Sequence, residues 1–165
     1  MVPVPELRML RGAHFQQNDR PLMPRDPYTL PVKGDCLEIE AAFGAGAAGR
    51  FGLRVRRSPG GEEETAIVYD AGSGHLVVDR TRSSRAEVQT DPYVGQLDLA
   101  PGEGLSLHLF LDRSVIEIYA NQRLCMTSRI YPSRSDSLDI QVFSEEEEVC
   151  LLWIDVWQMR SIWGE

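Results

Sequence analysis

Trp153, Asp155 and Trp157 alternate near the C-terminal end of the chain, which puts two indole rings and a carboxylate on one face of an extended strand. Indole rings stack on sugar rings and a carboxylate accepts sugar hydroxyls, so the trio has the chemistry of a sugar contact. The competing reading, which we favour, is burial under a neighbouring segment or domain, the usual fate of large aromatic side chains. Glu38-Ile39-Glu40 sets two acids on one strand face. Glycosidic cleavage takes two carboxyl groups converging on one carbon, about 5 Å apart in the retaining case. Glu145 to Glu148 and Glu62 to Glu64 are consecutive, so their side chains diverge to opposite faces and read as solvated loops. Arg80, Arg82 and Arg85 form a basic spot in a polar stretch, also read as a solvated loop. His14, His75 and His108 fall at no ligand spacing to Cys36, Cys125 or Cys150, so neither a metal site nor a cofactor is expected.

A second constellation is Asp112, Arg113, Ser114, Glu117 and Arg129. Asp-Arg-Ser interrupts a run in which Leu105, Leu107, Leu109 and Leu111 alternate with Ser106, His108, Phe110 and Asp112, a strand ending in a turn. Asp and Ser side chains would cap nearby backbone N–H groups there. Glu117 sits inside the β-branched run 115–120, where an acid is unexpected, and is assigned a cross-strand pair with Arg129. Structure is the first reading for this set; an interface or sugar contact is the sharper alternative.

Strands must position these residues. Cys36–Phe43, Phe51–Arg57, Glu64–Tyr69, His75–Asp79, Leu105–Asp112, Val115–Ala120, Leu124–Tyr131 and Cys150–Met159 all read as extended. The run 151–154 is apolar on both faces and ambiguous by periodicity, but its Trp and Ile favour a strand. Residues 1–17 read as an N-terminal hairpin turning at Arg11-Gly12, residues 18–34 as a proline-rich connector, and residues 35–165 as the main body of a single domain. About ten strands without a convincing helix imply an all-β fold, a two-sheet antiparallel sandwich of jelly-roll or legume-lectin type. Trp163 is assigned to a terminal anchor or a disordered end.

Bulk properties narrow the partners. The formal net charge is −8, which offers no basic face for nucleic acid. No run approaches transmembrane length, and MVPVPELRML lacks the apolar stretch of a signal peptide. Three cysteines inside apolar runs are expected to be buried, reduced thiols, which favours a cytoplasmic setting while leaving the compartment open.

The segment 109–132, LFLDRSVIEIYANQRLCMTSRIYP, resembles the C-terminal β-sandwich module of glycoside hydrolase family 32, the invertases, levanases and inulinases. DCLEIEAAF (35–43), FGLRVRR (51–57), GEEETAIVYD (61–70) and VDRTRS (78–83) are similar to its early strands, in order. The resemblance implies a module whose parent hydrolyses terminal β-fructosyl linkages of sucrose or fructans. It implies an N-terminal five-bladed propeller as the partner within that parent, with a fructan or sucrose ligand and a homodimer as further partners. In the family the catalytic acids sit in the propeller, so no catalytic residue is expected here. Asn18-Asp19-Arg20-Pro21 shares only Asn-Asp with the nucleophile motif. Arg25-Asp26-Pro27 matches the family's Arg-Asp-Pro tripeptide but lacks its companion motifs, and is read as coincidence. A free-standing lectin-like module is the alternative. A sandwich glucanase needs a third acid beyond Glu38 and Glu40 and is disfavoured.

Overall fold

The computed structural model describes residues 2–161. A 3-10 helix, Pro5–Leu10, opens the chain, with a proline in its first turn. Twelve strands follow: β1 (Arg11–Leu22), β2 (Tyr28–Lys33), β3 (Cys36–Phe43), β4 (Arg50–Arg57), β5 (Thr65–Asp70), β6 (His75–Asp79), β7 (Tyr93–Gln96), β8 (Leu105–Asp112), β9 (Val115–Ala120), β10 (Leu124–Arg129), β11 (Asp139–Ser144) and β12 (Val149–Met159). They form two six-stranded sheets, ordered β1-β12-β3-β8-β9-β10 and β2-β11-β4-β5-β6-β7. Every neighbouring strand pair is antiparallel. The all-β, two-sheet sandwich is the fold that the alternating pattern implies.

The core lies between the sheets. Leu37, Ile39, Ala41 and Phe43 of β3 face it, as do Leu105, Leu107, Leu109 and Leu111 of β8 and Ile116, Ile118 and Ala120 of β9. Phe51, Leu53, Val55, Ile67, Leu76, Val78, Ile140 and Val142 answer from the second sheet. Phe51 packs between Phe43 and Tyr69, with ring centroids 5.2 and 5.7 Å away, and Tyr69 places its hydroxyl 3.0 Å from the Leu97 carbonyl. The ambiguous run 151–154 is strand, and Leu151 and Ile154 both reach the core because the register shifts between Leu151 and Trp153.

Three expectations are corrected. The N-terminal hairpin is a 3-10 helix followed by one long strand; Arg11-Gly12 starts β1 instead of turning, because β12 offers a continuous edge to pair with from Met159 back to Val149. The proline-rich connector is mostly strand, holding the end of β1 and all of β2, an edge strand where prolines are tolerated. The cysteines are free, but Cys36 and Cys125 are only half-buried and Cys150 is exposed. Trp163 and the last residues of the 35–165 span lie outside the described residues.

Candidate functional site

Alternation along the first sheet sends every second residue outward, and its registers align these residues in rows. One row runs His14, Trp157, Glu38, Phe110, Glu117, Thr127 from β1 to β10. The next runs Gln16, Asp155, Glu40, His108, Tyr119, Cys125. An outer face would normally be solvated, yet Glu38 is 1% exposed. Arg11 explains it. Its Nε and Nη2 donate to the two oxygens of Glu38 at 2.7 and 2.6 Å, and Nη2 also donates to Glu40 at 2.6 Å. His108 Nε2 lies 2.7 Å from Glu38 and 3.6 Å from Glu40. Burial by itself would raise the Glu38 carboxyl pKa; the hydrogen bonds from Arg11 and His108 outweigh it and hold that pKa below the ordinary carboxylate value. The same bond to Glu38 raises the Arg11 guanidinium.

Trp157 is held by two side chains of β1. The Arg11 guanidinium sits 3.6 Å over its ring, and His14 is stacked nearly parallel at 4.8 Å. His14 Nε2 is 2.6 Å from Asp155. Trp157 and Asp155 are therefore engaged by side chains of β1, and the expected burial of the tryptophans is half-met, with both rings partly covered. Trp153 lines a cleft of about 380 Å³. Glu40, His108, Phe110 and Tyr119 also line it, as do Val2 to Pro5, Leu7 and Arg8 from the start of the chain.

Two carboxylates thus meet beside a cleft, so their chemistry needs a direct answer. An oxygen of Glu38, an oxygen of Glu40 and His108 Nε2 all lie within 4.8 Å of one another, a spacing that could hold a metal ion or resemble a glycosidase pair. Arg11 already sits among them as the cation, bonded to both acids. A general acid needs a raised pKa, whereas that of Glu38 is lowered. The arrangement is an ion-paired cluster built around Arg11. Neither role is written locally: Arg11 beside a glycine reads as a turn and His108 in a leucine-rich strand has no ligand spacing, and neither carries a signal of a partner 27 or 70 residues away.

The signature residues lie elsewhere. Asp112 ends β8, and Arg113 and Ser114 form the exposed β8–β9 turn, with Arg113 at φ 51°. Main-chain bonds tie the turn down: Arg113 N–H donates to the Asp35 carbonyl at 2.6 Å, and Ile130 N–H to the Ser114 carbonyl at 2.9 Å. Glu117 does not face Arg129. The register sets Glu117 opposite Thr127, and Arg129 opposite Val115, two positions along. Asp26 is exposed in a tight turn whose N–H donates to the Met23 carbonyl, so the Arg-Asp-Pro tripeptide is a surface turn.

Two loop readings also change. Glu63 is fully buried, while Glu62 is exposed and Glu64 half-buried. Arg80 is 5% exposed and donates to the Asp91 and Arg129 carbonyls, while Arg82 and Arg85 remain exposed. Glu145 to Glu148 form the exposed β11–β12 turn, as their solvated-loop reading expects.

Residues 6–158 match the family described as "Glycosyl hydrolases family 32 C terminal". The chain belongs to that family. It is 29% identical over 169 residues to the levanase of Bacillus subtilis, covering 98% of this chain and 24% of the levanase. It is 31% identical over 149 residues to β-fructofuranosidase insoluble isoenzyme 5 of Oryza sativa subsp. japonica, covering 82% of this chain and 28% of that protein. The fold of this family 32 domain superposes on fructan 1-exohydrolase IIa of Cichorium intybus with a TM-score of 0.86 at 22% identity, covering 97% of this chain and 38% of the exohydrolase. The family 32 domain thus spans about a quarter of the length of the curated relatives it matches.

Proposed function

We propose that this domain is the non-catalytic sandwich module of a β-fructofuranosidase-type glycoside hydrolase, buttressing a five-bladed catalytic propeller that precedes it in the parent polypeptide. The parent would hydrolyse terminal β-fructosyl linkages of sucrose or fructans. The observation that carries this reading is Arg11, which binds both acids of the Glu38–Glu40 pair beside the cleft. A retaining glycosidase needs one acid free to attack and another free to give up a proton. With a lowered pKa, Glu38 is unsuited to the second role.

The test is direct. The purified chain, incubated with sucrose, inulin and levan, should release no fructose above the blank. Turnover that co-purifies with the chain and is lost in Asp26→Asn, or in Glu40→Gln, would overturn the reading.

A further inference from the structure

We propose that the cleft lined by Trp153, Glu40 and His108 is a saccharide subsite that holds one neutral sugar ring. This deepens the function proposed above, on which it rests for the class of sugar, a fructosyl or glucosyl unit of a fructan. At about 380 Å³ the cleft lies near the small end of the range for small-molecule sites, roughly 300–1,000 Å³. Trp153, Phe110 and Tyr119 give it aromatic surface for the C–H faces of a sugar ring, and Pro3, Val4 and Leu7 add apolar surface.

Two of the polar groups that line the cleft, Glu40 and His108, are held in place by charged neighbours, as a specific site requires. Arg11 Nη2 holds Glu40 by Oε1 at 2.6 Å, and Glu38 holds His108 by Nε2 at 2.7 Å. That leaves Glu40 Oε2 and His108 Nδ1 without a partner among the described residues. Both residues line the cleft, and a carboxylate oxygen and an imidazole nitrogen can each engage a ring hydroxyl. Asn121, which also lines the cleft, is not available: its side chain is spent on Glu103, Gly104 and Ser106. Charge decides between a sugar and an ion. The Arg11 guanidinium is already bonded to both acids, so a metal would have to displace a fixed cation, whereas a neutral polyhydroxylated ring needs no counter-charge.

Titration of the chain with sucrose and with short inulin- and levan-type oligosaccharides, followed through its indole N–H resonances, tests this. The expected result is a saturable shift of the Trp153 resonance with that of Trp157 nearly still. Glu40→Gln should weaken binding about tenfold. Ser106→Arg, at an exposed position that lines the cleft, should abolish binding while the circular dichroism spectrum and Tm stay unchanged. The absence of any shift at tens of millimolar sugar overturns the proposal, as does a shift that survives Ser106→Arg intact. The two readings fail separately: an inactive chain that binds no sugar loses only the subsite, and a chain that hydrolyses sucrose loses the non-catalytic role.

Discussion

Arg11 Nη2 is 2.6 Å from an oxygen of Glu38 and 2.6 Å from an oxygen of Glu40, so one guanidinium at the first position of β1 ties together two acids of β3 across the intervening β12. Removing the cation leaves Glu38 charged and buried. Arg11→Met should therefore cost about 2–3 kcal/mol, below the full loss for a wholly buried pair because Arg11 is partly exposed. Arg11→Lys, which cannot fork, should fall between. Urea unfolding measures both, and Glu38→Gln in the Arg11→Met background should recover part of the loss. A change within about 0.5 kcal/mol for Arg11→Met would remove the cluster as a source of stability.

Glu63 ties its own loop to two others, the β6–β7 and β10–β11 connections. It accepts from the hydroxyls of Ser133 and Ser137 and from the N–H groups of Ser133, Arg134 and Arg85. Burial alone would raise its pKa, but the bonds from Ser133, Ser137 and Arg134 bring it down from 4.5 to about 2. A carboxyl whose folded value lies below its unfolded value adds stability above the unfolded value and loses it as pH falls toward the folded one. The acid limb of the stability–pH curve should therefore steepen between about 4.5 and about 2. Glu63→Gln should flatten that limb. Glu63→Ala strands several buried donors and should cost about 2–4 kcal/mol at neutral pH. An acid limb that is the same in Glu63→Gln as in the parent chain would count against this tie.

Gly52 on β4 leaves no room for a side chain against the β5 backbone. A Cβ at this position would lie 2.0 Å from the Ile67 carbonyl oxygen, a backbone atom that cannot swing away. Gly52→Ala should lower the unfolding free energy by about 2–3 kcal/mol and shift the β4 and β5 amide resonances. A Tm equal to that of the parent chain would show that the strands separate freely there.

Glu117 and Arg129 are offset by two register positions. A double-mutant cycle on this pair should give a coupling near zero, and Arg129→Ala alone a change within about 0.5 kcal/mol. Glu117 acts instead on Tyr119, whose phenol is pushed up to about 12 by burial and by its hydrogen bond with Glu117. Glu117→Gln should bring the tyrosinate absorbance transition of Tyr119 back toward the ordinary phenol value. A titration curve unchanged by that substitution would break the link.

The sequence alone determined the class of fold. Leu105 to Leu111 alternates with polar residues, and such a pattern can bury only one face, so a sheet packed on a second sheet follows from local chemistry. It also carried the family, through the strand–turn–strand wording around Asp112, Arg113 and Ser114. β11 alternates only over Asp139-Ile140-Gln141-Val142 before Phe143 breaks the pattern, too short a run to mark a strand, and it buries its polar residues with its apolar ones. β1 and β2 were hidden by prolines that their edge positions tolerate.

Tertiary structure alone decided what the charged residues do. Glu38 and Glu40 read as a pair of acids in the chain, and only the order β1-β12-β3-β8 brings Arg11 and His108 to them. Glu117 and Arg129 read as a pair and are separated by a register that the hairpin sets. The physical reason is range: hydrophobic alternation is written between near neighbours along the chain, while an ion pair depends on which distant strands lie side by side.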